Sequence, residues 1–110
     1  MGASARLLTR RDRSIAEFER KAGQAAAMLR LLANENRLLV LCRLVAAGEL
    51  SVGDLAAAVH LSQSALSQHL AKMREDGLLS TRREAQTVYY RIADPTVARV
   101  LASLKAIYCP

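Results

Sequence analysis

The sequence predicts a mainly α-helical fold with one small β-hairpin. Three observations carry that expectation. Apolar residues recur at spacings of three and four along most of the chain, as in helices with one buried face. Capping residues stand between these stretches, with Asn, Ser or Asp in front and Gly behind. Only between Leu78 and Ile92 does the apolar period drop to two, the spacing of a strand. At 110 residues there is room for one core, and with 52% hydrophobic residues and five glycines the chain can fill it.

The elements follow in order. Residues 1–12 show no periodicity, and four of the first thirteen residues are Arg. A mobile basic arm is expected there, followed by a single domain over 13–110. From Arg13 a first helix carries Ile15, Phe18, Ala22, Ala25, Leu29 and Leu32 as one stripe. Its small residues, Ala25 to Ala27, suit close approach of another helix. Asn34 reads as the N-cap of a second helix, with Leu38, Leu41, Cys42 and Val45 on its apolar side and Gly48 as its stop. Ser51, with Asp54 three residues on, resembles a capping box. The short third helix turns Leu55, Ala56 and Val59 inward and stops near His60. Ser62 caps a fourth, with Leu66, Leu70 and Met73 buried, and Gly77 ends it. Leu79 to Arg82 and Thr87 to Ile92 alternate as the two arms of a hairpin, with its tip at Glu84, Ala85 and Gln86. Asp94-Pro95 is an N-cap with Pro at the first helical position. It opens a last helix with Val97, Val100, Leu101, Leu104 and Tyr108 on one face.

A net charge of +6 points to an anionic partner, against the plain alternative of a solvated basic surface. No apolar run approaches the roughly 18 residues of a membrane span. The start, MGASARLLTRRDR, lacks the apolar core of a secretory signal, and Arg6 stands where myristoylation needs Ser or Thr. A cytoplasmic, nucleoid-associated protein with no membrane partner is expected. Its two cysteines, 67 positions apart, should then be reduced at rest. Nothing resembles a carboxylate pair, a phosphate loop or a nucleophile with its base, so no enzyme is expected.

The third and fourth helices meet at a tight joint and are followed by a basic ribbon, which makes a winged helix-turn-helix. Leu55, Val59, Leu66 and Leu70 lock the helix pair, leaving Ser64, Ser67, Gln68 and Ala71 on the open face. That small polar face fits the major groove of double-stranded DNA. Gln63 belongs with it, and Ser62 and the helix N-terminus can meet phosphates. Arg82, Arg83, Gln86 and Arg91 add charge and donors on the wing. On an isolated helix, Ser and Gln more often merely solvate a surface. It is the ordered combination of caps, stop and basic hairpin that favours DNA. His69, at the boundary of this helix, is expected to pack or to meet a phosphate, because no second ligand lies four residues on.

The motifs LLANENRLLVLCRL, ELSVGDLA, LSQSALSQHLAKMREDGLL and the Tyr89-Tyr90-Arg91 wing resemble the ArsR/SmtB family of small bacterial winged-helix repressors. The resemblance covers roughly residues 20–108. It implies a homodimer built from the first and last helices, which binds operator DNA and releases it when an inducer is sensed. One departure is Ala85, at a wing tip where the family often has Gly. If positive φ is needed there, Ala costs on the order of 1 kcal/mol.

Family members commonly sense metals. In this chain ELSVGDL puts Ser51 and Gly53 at the positions where metal sensors of the family carry thiolates. A second family site needs His partners near the last helix; Asp94 is present but no His follows His69. Neither metal site is expected, and no cofactor is. Cys42 and Cys109 remain. Cys42 shares a side with Leu38 and Val45 and can be an inert core thiol. Cys109, penultimate in the chain, is harder to place in a core. One Cys in the second helix and one after the last resembles the sulfide- and persulfide-responsive subgroup, the BigR/SqrR type. The resemblance implies two thiols close in the fold, bridged by reactive sulfur or an oxidant. One thiol attacks and the other resolves. Arg43 is a weak candidate for activating Cys42, since neighbours on a helix point apart. Two other readings stand beside this one: a metal-responsive repressor using Cys42 and Cys109 with further groups, and a DNA-binding or architectural module that senses nothing.

Overall fold

The computed structural model describes residues 10–109. The expected basic arm therefore lies, in residues 1–9, outside the described part. Its last three positions are helical, because α1 runs Arg10–Leu32 with Asp12 in its first turn, where a carboxylate complements the helix dipole. The chain divides into two compact units, residues 1–31 and 32–110. In the first, the expected apolar stripe of α1 is open: Ile15, Leu29 and Phe18 are exposed, Phe18 by 63%. Only Leu32, at the end of α1, is buried.

The second unit contains α2 (Glu35–Ala47), β1 (Leu50–Ser51), α3 (Val52–Val59), α4 (Gln63–Glu75), β2 (Leu79–Glu84), β3 (Thr87–Ile92) and α5 (Pro95–Tyr108). The caps sit where the residue types place them. Asn34, Ser51, Ser62 and Asp94 each accept a hydrogen bond from a backbone N–H two or three residues on, at 2.8–3.2 Å. Each satisfies a donor that the first helical turn leaves unpaired. Gly48 and Gly77 end α2 and α4 at φ 84° and 79°, a region that favours glycine. His60 ends α3 in the left-handed conformation and makes the joint into α4 without glycine.

The core is the set Val40, Leu41, Leu44, Leu55, Val59, Leu66, Leu70, Met73, Leu78, Leu79, Val97 and Leu101, together with Leu32. In α2 the buried arc is rotated from the expected one. Val40, Leu41 and Leu44 are buried, while Leu38, Cys42 and Val45 are half-buried. The helix packs against α3, α4, α5 and β3, so its covered arc is wide and Leu38 and Cys42 fall at one margin. In α5, Val97 and Leu101 are buried but Tyr108 is 78% exposed.

The sheet has three antiparallel strands in the order β1-β3-β2. Strand β1 was not foreseen. Its two residues pair Leu50 with Tyr90 and Ser51 with Tyr89, which pins the wing to the start of α3. Glu84 pairs with Thr87, so Ala85 and Gln86 form a two-residue tip. Ala85 adopts φ 55°, so the wing carries the strain expected if Gly is replaced there.

Candidate functional site

The first surface is the reading head. Leu66, Leu70 and Met73 are fully covered on one side of α4, and Gln63, Ser64, Ser67 and Gln68 are exposed on the other. The helix-turn-helix pairing of α3 with α4 turns this polar face outward. Ser62 has a double capacity. Its Oγ accepts from the Ala65 N–H at 3.1 Å, which leaves its O–H proton available to donate. His69 is half-buried beside this stripe.

A strut that the sequence did not disclose holds α4. Arg37 on α2 donates to Asp76 at the end of α4, 3.1 Å away, with the two side chains 14% and 20% exposed. Lys72 approaches the same carboxylate at 3.6 Å. A charge-assisted bond in a mostly covered setting is stronger than a surface pair. It fixes the far end of the reading helix to the second helix.

On the wing, Arg83 and Gln86 are exposed. Arg82 is differently placed. Its guanidinium donates to Glu49 through Nε at 3.1 Å and through a second nitrogen, and to Glu84 at 2.8 Å. It also stacks over the Tyr89 ring at 4.7 Å. The two carboxylates hold the guanidinium even more firmly protonated than usual, and Arg82 in turn keeps the Glu49 carboxyl below the ordinary range. Arg91 donates to Ser80 at 3.3 Å. Ser51 and Gly53, the family's thiolate positions, line a shallow recess of about 330 Å³ with Gln86 and Thr87. Among the described residues, no group of three or more His, Cys, Asp or Glu is placed to hold a metal ion.

The second surface is a cleft of about 680 Å³ between α2 and α5. Leu38, Ala46 and Leu104 supply hydrocarbon walls, and Cys42, Arg43, Lys105, Tyr108 and Cys109 complete it. The structure thus brings together the two thiols that stand 67 positions apart. Both are free: Cys42 is half-buried and Cys109 exposed. Burial pushes the Cys42 thiol up, negative charge on Cys109 pushes it further, and Lys105 pulls it down. Lys105 was missed in the sequence. The available signal was its position one turn before Cys109.

Comparisons with known proteins agree with this architecture. Residues 34–81, which run from the cap of α2 into β2, match the family model described as "Bacterial regulatory protein, arsR family". The chain is 47% identical to the transcriptional activator HlyU of Vibrio cholerae over 96 residues, covering 87% of this chain and 88% of the relative. It is 44% identical to the biofilm growth-associated repressor of Agrobacterium fabrum over 92 residues, covering 84% and 78%. The crystal structure of the repressor BigR from Xylella fastidiosa superposes with a TM-score of 0.77 at 35% identity, covering 94% of this chain and 99% of that one. A helix-turn-helix with its polar face open, a basic wing and these relatives together place the chain in the ArsR family, as a winged-helix, DNA-binding transcriptional regulator rather than an enzyme.

Proposed function

We propose that the chain is a homodimeric, cytoplasmic repressor whose hold on operator DNA is switched by bridging Cys42 to Cys109. In the reduced state Gln63, Ser64, Ser67 and Gln68 read base edges in the major groove. Ser62, Arg83 and Gln86 meet the backbone or the minor groove. Arg82 chiefly braces the wing through Glu49 and Glu84 and adds charge near the DNA. The exposed apolar residues Ile15, Phe18 and Leu29 of α1, and separately Ile107 and Tyr108 of α5, are surfaces that a second copy of the chain would cover.

The observation that carries the reading is that both thiols line one cleft between α2 and α5. A reactive sulfur species or an oxidant links them there. A direct disulfide needs Cα atoms within about 7 Å, and inserted sulfur atoms lengthen the reach. The link ties α5 to α2, and α2 is tied to the reading helix through Arg37 and Asp76. The two reading helices of a dimer must match half-sites about 34 Å apart, so a shift in this frame is felt at the DNA. A coupling of roughly 1–3 kcal/mol gives a 5- to 150-fold change in affinity.

The test is operator affinity at fixed salt, measured reduced and after treatment with a low-molecular-weight persulfide, with a mass spectrum of the product. A linked Cys42–Cys109 product with weaker DNA binding supports the switch. Unlinked thiols with unchanged affinity refute it. Cys42→Ser and Cys109→Ser should each bind DNA and fail to respond.

A further inference from the structure

The charged and titratable side chains lining the cleft are Cys42 and Arg43 from α2, and Lys105, Tyr108 and Cys109 from α5 and its end. Lys105 and Cys109 are one helical turn apart, and the Cys109 N–H donates to the Lys105 carbonyl at 2.8 Å. Lys105 and Cys109 both line the cleft that Cys42 lines from the other side, so the thiol and the ammonium open onto the same space. Arg43 stands next to Cys42 in the chain and leaves it at about 100° around the helix. Two cations line the cleft, and the one facing Cys42 from the opposite wall is Lys105.

We propose that Lys105 is a positioning residue for the sulfur chemistry, its ammonium favouring the Cys42 thiolate so that Cys42 resolves the bridge after Cys109 has been modified. The proposal rests on the dithiol reading above. Cys109 is exposed and meets the reagent first. Its thiolate attacks the outer sulfur of a persulfide R–S–SH. The S–S bond of the reagent breaks, Cys109–S–SH forms and RS⁻ leaves. The Cys42 thiolate then attacks the Cys109 Sγ, the Cys109–S–SH bond breaks, a Cys42–S–S–Cys109 bond forms and HS⁻ leaves. The two thiol sulfurs are oxidised and the sulfane sulfur is reduced to hydrosulfide. If Cys42 also carries an extra sulfur, the same displacement yields a trisulfide and HS⁻.

Around Cys42 the influences oppose one another. Before the first step, burial and a negative Cys109 both oppose a charged Cys42, and Lys105 alone favours it. In the second step the protonated form of Cys109–S–SH is the electrophile, because its outer sulfur must leave as HS⁻, and Lys105 favours the Cys42 thiolate that attacks it. A cation beside a thiol raises its thiolate fraction, and the thiolate is the nucleophile.

The test isolates Cys42 in the full chain carrying Cys109→Ser. The rate of iodoacetamide alkylation is followed across pH with Lys105 intact, Lys105→Met, Lys105→Gln and Lys105→Arg. Loss of the charge should slow alkylation about threefold to tenfold near pH 7.5 and move the pH midpoint up, while Arg restores both. Arg43→Met should leave the profile in place. An unchanged midpoint in both neutral variants overturns the proposal, as does an Arg43→Met shift equal to theirs. DNA affinity is not read here, so a failed switch and a failed Lys105 role are told apart.

Discussion

The reading head and the thiol cleft are built in opposite ways. In the reading head, one side of α4 is sealed by Leu66, Leu70 and Met73, none with any exposed surface, and the other side is open and mostly polar. Its orientation is fixed by core packing and by the Arg37–Asp76 strut. The cleft has a half-buried Cys42, an exposed Cys109 and an exposed Tyr108 at its rim. The difference is one of burial. The polar face of α4 is backed by fully covered core residues, whereas Cys42 is half-buried and Cys109 stands exposed just past the end of α5.

That contrast can be broken or sharpened by substitution. The largest effect belongs to the sealed side: Leu70→Ala should cost about 2–5 kcal/mol of folding stability in urea unfolding, because it leaves a cavity. Gln68→Ala should leave stability within about 0.5 kcal/mol yet weaken operator binding by about 1–3 kcal/mol, read by titration at fixed salt. A stability loss as large as that of Leu70→Ala would mean the polar face is structural. Ala85→Gly should relieve the left-handed strain at the wing tip and stabilise by about 0.5–1 kcal/mol, the gain being trimmed by the greater unfolded-state freedom of Gly. A melting curve checks it.

At the cleft the expected effect is the smallest, and it depends on pH. Folding raises the Cys42 thiol above its ordinary value, so the native state holds that proton more tightly than the unfolded chain does. The contribution to stability is complete below about pH 8.5 and is lost as pH rises through the folded value. Cys42→Ser should therefore flatten the fall in urea midpoint between neutral and alkaline pH. An equally steep fall in the variant would remove Cys42 as its source.

Much of the reading head was legible because its determinants are local. Ser62, Leu66, Leu70, Met73 and Gly77 lie within sixteen consecutive residues, and cap, stripe and stop each act over one or two turns. The pairing of Arg82 with Glu49, 33 positions away, was not legible, nor was that of Arg37 with Asp76, 39 positions away. Charged residues at such separations have many partners to choose from, and only the fold selects one. The two-residue strand β1 was hidden for a similar reason: Leu50 and Ser51 are too few to show a period, and their pairing is supplied by Tyr89 and Tyr90.

By itself the amino-acid sequence determined where helices begin and end, which face of α4 is apolar, and that positive charge gathers on the wing. Those follow from side-chain chemistry repeated at helical or strand spacing. Tertiary structure decided that the stripe of α1 stays open, that Arg82 is spoken for by two carboxylates, and that Lys105 faces Cys42 beside Cys109. The reason is distance along the chain: a thiol and an ammonium 63 positions apart acquire a shared electrostatic environment only when α2 and α5 pack together.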